Sequence, residues 1–178
     1  MLEVMERETD TRYYERHHAE SVTVHANSEE VFAFADDFSK LSSHMSESST
    51  MMMGGRMQIS LDDGRGQIVG SHVRMSGQMM GISLSLEEVV TERVPPRHKV
   101  WKTVGSPKLL VIGHYRLGFD IIAKGKSSDV CVFIDYDLPS SPGPRWLGLL
   151  FGPIYAKWCV GQMVRSVRNR FIEQPPIR

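Results

Sequence analysis

Excess charge of either sign is missing from this chain. Its 21 Lys and Arg residues are balanced by 21 Asp and Glu, so the formal charge is zero. Broad attraction to nucleic acid or to an acidic membrane depends on a basic excess, so composition predicts no nucleic-acid partner. One local basic group exists, Arg165, Arg168 and Arg170, and cations near a helix C-terminus complement its dipole. Cysteine is scarce. Cys131 and Cys159 are too far apart for a Cys-x-x-Cys site and lie in apolar segments, as buried free thiols do. Long apolar runs are also missing. The longest, 146–156, is bounded by Arg145 and Lys157 and contains Pro153. It falls short of the roughly 20 residues that cross a bilayer, so no transmembrane segment is expected. The first residues lack the apolar core of a secretory signal, which makes the cytoplasm the expected compartment.

Several chemistries are excluded by spacing. The seven histidines include no His-x-His or His-x-x-x-His pair, so neither a metal nor another cofactor is expected. There is no Gly-x-Ser-x-Gly, which removes the α/β-hydrolase nucleophile. The run Gly64-Arg65-Gly66-Gln67-Ile68-Val69-Gly70 has one residue too many for a dinucleotide fingerprint. It leads into a strand rather than a helix, and reads as a glycine-rich hairpin.

What is present is ordinary globular material: 178 residues, 41% apolar and 24% charged, enough for one domain with a real core. Residues 1–19 read as a weakly ordered arm, 20–173 as the domain and 174–178 as a tail. The alternation at 20–25 predicts a strand. Asn27 or Ser28 can cap a helix, Glu30 follows Asn27 at capping-box spacing, and Val31, Phe34, Ala35, Phe38 and Leu41 continue at helical spacing. The serine-rich 42–49 is a loop. From residue 50 to 138 the period is two, which predicts strands at 53–61, 67–76, 79–92, 98–104, 109–122 and 130–138. Asp62-Asp63-Gly64 marks a hairpin turn, and Gly77 is expected to break its strand. Ile82, Leu84 and Leu86 share one face while Ser83 and Ser85 share the other, the signature of an antiparallel sheet wet on one side. The strand spacing leaves no room for crossover helices. A final helix over 145–172 carries a broad apolar stripe, with a bend expected at Gly152-Pro153.

The order of one strand, short helices, six strands and one long helix resembles the helix-grip superfamily. Ser28-x-x-Val31-Phe32, Phe38-x-x-Leu41, Trp101-Lys102-Thr103, Gly113-His114-Tyr115 and Ile134-Asp135-Tyr136-Asp137-Leu138-Pro139 are similar to stretches of its bacterial members. That superfamily includes START-like lipid-transfer domains, polyketide cyclase/dehydrase-like proteins and plant pathogenesis-related allergens. The resemblance covers roughly 21–171. It implies an α+β fold in which a curved antiparallel sheet of about seven strands wraps around the C-terminal helix. It also implies an apolar tunnel between the two layers, and it carries no shared catalytic triad.

Eight residues are therefore the candidate ligand contacts: Met57, Met75, Trp101, Tyr115, Phe119, Tyr136, Tyr155 and Trp158. Methionine is abundant in the first half of the sheet, at Met51, Met52, Met53, Met57, Met75, Met79 and Met80. It moulds around apolar ligands but fills ordinary cores as readily. Buried tyrosine hydroxyls need partners, which a ligand or a neighbouring side chain can supply. Three functions fit. The first is binding or carrying a small hydrophobic ligand, such as a lipid, fatty acid or polyketide. The second is a cyclase/dehydrase-type enzyme, which needs an acid/base group in the cavity, with His72, His114 and Tyr115 as candidates. On strand alternation, His72, Arg74, His114 and Arg116 fall on the wet face. The third is a structural or interaction module with a filled core, and an exposed apolar strip over 146–151, outside the cavity, would favour it or a homodimer; the chain is expected to be a monomer or homodimer.

Overall fold

The computed structural model describes residues 12–41, 56–79, 81–140 and 142–172. The elements are β1 (Arg16–Val24), α1 (Ser28–Ala35), α2 (Phe38–Leu41), β2 (Arg56–Leu61), β3 (His72–Met79), β4 (Ile82–Val94), β5 (His98–Lys108), β6 (Tyr115–Lys124), β7 (Ser127–Tyr136) and α3 (Pro142–Ile172). The seven strands form one antiparallel sheet in the order β1-β7-β6-β5-β4-β3-β2. The helix-grip architecture expected from the sequence is present: α3 packs against β1 and β7, α1 touches β6, β7 and α3, and α2 touches α1 and α3.

Alternation decides which face is buried. In β7 every second residue, from Ser128 through Val130, Val132 and Ile134 to Tyr136, is buried. Asn27 caps α1, its side-chain oxygen accepting from the Glu30 amide at 2.9 Å. At the opposite, C-terminal end of that helix lies a buried ion cluster. The Lys99 ammonium donates to Asp36 Oδ1 at 2.8 Å and to the Asp36 carbonyl at 2.9 Å. Arg93 holds the same carboxylate from its other side at 2.8 Å. Lys99 is 1% exposed, and a charge that deep is tolerable only when paired and hydrogen-bonded.

Several boundaries differ from expectation, among them that of β5, which runs through Gly105 to Lys108 rather than ending at 104. β1 starts at Arg16, so residues 16–19 belong to the sheet rather than the arm; their polarity disguised an edge strand whose His17 bonds Asp135. Residues 62–71 form a compact loop in place of the start of β3. Arg65 and Gly66 adopt positive φ, and the Asp62 carboxylate accepts from Ser71 Oγ at 2.5 Å and from the His72 amide at 2.6 Å. Gly77 stays paired with Leu84 inside the ladder, and Gly81, at φ +78°, makes the turn instead. Finally, 109–112 is a loop rather than the start of β6, which begins at Tyr115. α3 runs on through Pro153. The predicted loop 42–49, the tail 174–178 and Met51, Met52, Met53 and Met80 lie outside the described residues.

Close approach of α3 to the rest of the fold depends on two glycines. A Cβ on Gly148 would overlap Pro139 and sit 2.9 Å from the Val111 carbonyl oxygen; one on Gly152 would sit 3.0 Å from that same oxygen. The glycine face thus presses the N-terminal half of α3 onto the 109–112 loop.

Candidate functional site

A cavity of about 50 Å³ remains between the sheet and α3. β4 contributes Leu86 and Glu88, β5 Trp101, β6 Tyr115 and Leu117, and β7 Ile134. α3 closes it with Tyr155, Cys159 and Met163, α2 with Phe38 and Leu41, and the 109–112 loop with Leu109 and Ile112.

The lining is apolar with one strong exception. Glu88 is 2% exposed, and its carboxyl lies among Trp101, Tyr115, Tyr155 and Cys159. The Tyr115 hydroxyl donates a short hydrogen bond to Glu88 Oε1. Among the described residues, Oε2 has no hydrogen-bond partner. Burial pushes the Glu88 carboxyl up to about 7, against the opposing pulls of Tyr115, Trp101 and, at longer range, Lys99. The indole of Trp101 thus favours the ionised form without reaching Oε2. Burial, reinforced by Glu88, holds the Tyr115 phenol well above its ordinary value. Tyr155 is raised as well, first by Cys159 one helical turn on and then by burial. Burial pushes the Cys159 thiol up to about 12, so it is a neutral wall group rather than a nucleophile. Near neutral pH, then, one carboxyl exchanges its proton while three neighbouring groups keep theirs. Such a set can hydrogen-bond a polar ligand atom, or give and take a proton there.

Of the eight candidate contacts, Trp101, Tyr115 and Tyr155 line this cavity. Met75 and Phe119 are buried in the core outside the lining, Phe119 edge-on to Trp101 and Phe32. Tyr136 is buried beside Gly152. Trp158 lies in a shallow outer groove between β1 and α3, together with Val22 and Ile154. Met57 sits on β2 opposite Gly77, and its side chain is outside the described residues, as is that of Met79. The methionine that does line the cavity is Met163, on α3. Among the candidate acid/base groups, His72 pairs with Glu87 at 3.0 Å on the outer face. His114 contacts Thr103 Oγ1 at 3.2 Å and is absent from the lining; desolvation, with Arg12 nearby, lowers its imidazole. Tyr115 faces inward. Among the described residues, no cluster of His, Cys, Asp and Glu could hold a metal.

Glu88 escaped the sequence reading although its signal was present. Leu84, Leu86, Glu88 and Val90 alternate on β4, so the period that buries the leucines also buries the carboxyl. A charged residue in phase with an apolar face is the mark to look for. Lys99 shows the same mark beside Trp101.

The chain matches the family model described as polyketide cyclase / dehydrase and lipid transport over residues 16–169. No curated protein matches it by sequence. Among solved structures it resembles the aromatase/cyclase Zhui from Streptomyces sp. R1128, with TM-score 0.63 and 12% identity over 88% of this chain and 93% of that one. Norcoclaurine synthase from Thalictrum flavum aligns with TM-score 0.61 and 13% identity, over 89% of this chain and 87% of that one. TTHA0849 from Thermus thermophilus aligns with TM-score 0.62 and 14% identity, over 88% and 97%. At such identities the structures speak to fold, while the family model spans most of the chain: the protein belongs to the polyketide cyclase / dehydrase and lipid transport family.

Proposed function

We propose that the protein binds a small apolar molecule bearing one polar group, which the Glu88 carboxyl receives inside the cavity. The observation carrying this reading is a fully buried carboxyl in a largely apolar lining, whose Oε2 has no partner among the described residues. A core selected only for stability would place Leu or Met there, because an unsatisfied buried polar group costs about 1–3 kcal/mol. Family membership and the aromatic lining support the same reading.

The cavity is small. Its 50 Å³ suits a few waters, at about 10–15 Å³ each, whereas ligand pockets run about 300–1,000 Å³. A ligand therefore enters by displacing the 109–112 loop and the half of α3 that rests on it. One observation favours a second reading, a cyclase/dehydrase-like enzyme: the carboxyl at about 7 beside Tyr115 is poised to move a proton at working pH.

Native mass spectrometry of the purified protein, followed by calorimetry with 2-naphthol as probe, tests the binding reading. A co-purifying apolar compound, or 2-naphthol binding weakened about ten-fold or more in Glu88→Leu, is the expected result. No bound compound and no 2-naphthol binding by the wild type would overturn it.

A further inference from the structure

We infer that the N-terminal half of α3 is a docking surface for an anionic lipid bilayer. In that half the helix is apolar on both sides. Its inner side, Gly148 and Gly152, is buried against the 109–112 loop. Its outer side carries Trp146, Leu149, Leu150 and Ile154, which are 60%, 52%, 58% and 52% exposed. Their spacing, with exposed Pro153 between them, is i, i+3, i+4, i+7, i+8, a continuous stripe on one helix face. Large aliphatic and indole side chains in a contiguous exposed stripe mark a contact surface.

Charge selects the occupant. α3 contains no Asp or Glu. Its cations are Arg145 and Lys157 at the two ends of the apolar segment, then Arg165, Arg168 and Arg170. Among the described residues Lys157, Arg165 and Arg168 make no ion pair. Outside the cavity, carboxylates beside this helix include Glu15, which reaches Arg145 at 3.4 Å, and Glu20, which lies beside Gly161 and pairs with His18. A second copy seated on the stripe would bring the same cations together, with no helix carboxylate to answer them. A surface of anionic headgroups answers them directly, and a stripe too short to span can lie in the interface with its indole at headgroup depth. The chain's zero net charge makes this attraction local to α3. The same half-helix rests on the loop that supplies Leu109 and Ile112 to the cavity, so docking would place the cavity's cover against the bilayer.

Flotation of the full chain with vesicles tests this, using 7:3 phosphatidylcholine:phosphatidylserine against pure phosphatidylcholine in low salt. Binding to the mixed vesicles, about ten-fold weaker on pure phosphatidylcholine, is expected. The double variant Trp146→Ala, Leu150→Ser should lose about thirty-fold in affinity, and Lys157→Gln about five-fold. These residues are exposed, so the variants should melt with the wild type; that control separates lost docking from lost folding. Brominated lipid should quench wild-type tryptophan fluorescence and should do so much less in Trp146→Phe. Failure of the wild type to float on mixed vesicles overturns the inference. So does equal binding to both compositions, or a dimer in sedimentation equilibrium that Leu150→Glu dissolves.

Discussion

Replacing Glu88 by Gln should change how stability depends on pH, in a direction and window fixed by the cavity. The carboxyl titrates at about 7 when folded, against an ordinary value of 4.5. Below about pH 4.5 it is protonated in both states and contributes no pH-dependent penalty. Between 4.5 and 7 the unfolded chain releases the proton while the folded chain keeps it, so stability falls as pH rises. Above 7 both states are ionised and the loss levels off. The separation of the two values corresponds to about 3 kcal/mol, at roughly 1.4 kcal/mol per pH unit. Gln keeps an oxygen for the Tyr115 hydroxyl, leaves its second polar atom in the same place, and has no proton to lose. Urea unfolding of wild type and Glu88→Gln from pH 4 to 9 isolates the effect, because every other titrating group cancels in the difference. The variant should gain progressively through that window, reaching about 3 kcal/mol near pH 8, or roughly 6–12 °C in Tm for a chain of this size. Parallel curves with a constant offset would refute the reasoning, since they would mean that Glu88 titrates alike in both states.

Other expectations follow from the same packing. Asp36→Ala strands the Lys99 ammonium and the Arg93 guanidinium, and should cost about 3–5 kcal/mol in urea unfolding; a loss below 1 kcal/mol would show that the cluster is solvated. Gly152→Ala pushes a methyl toward the Val111 carbonyl and should destabilise by about 1–3 kcal/mol, with faster hydrogen exchange over 109–112; unchanged exchange there would contradict the close approach. Cys159, held at about 12 and buried, should resist alkylation at pH 8 while half-buried Cys131 reacts first, as peptide mass mapping can read; the reverse order would mean that the cavity wall opens readily.

The fold was largely legible in the sequence because it rests on periodicity. The period-two pattern of Val130, Val132, Ile134 and Tyr136 and the long apolar stripe of α3 dictate a one-sided sheet facing a helix. Edges were less legible. At Arg16 the strand is made of polar residues whose partners are on β7, and nothing local announces that pairing. At 109–112 four apolar residues imitate a strand, yet they are apolar because they cap the cavity and meet the glycine face of α3. The site was legible in its aromatics and obscure in its chemistry. Trp101, Tyr115 and Tyr155 converge because they share inward faces. Met75, Phe119 and Tyr136 share those faces too, but Met75 and Tyr136 stand on the next strand, opposite Leu86 and Tyr115, and Phe119 lies two residues beyond Leu117, which alternation cannot resolve. Glu88 was obscure because glutamate ordinarily sits on a wet face; only its phase with Leu84 and Leu86 says otherwise.

The proposed function turns on one contact, between a polar atom of an apolar ligand and the Glu88 carboxyl inside the cavity. Carbon-13 NMR of the Glu88 side-chain carboxyl, assigned with Glu88→Gln and titrated with and without 2-naphthol, observes that contact directly. A midpoint near 7 in the free protein and a displaced carboxyl signal on adding 2-naphthol are predicted. A midpoint near the ordinary 4.5, with a signal indifferent to 2-naphthol, would contradict the proposed role of Glu88.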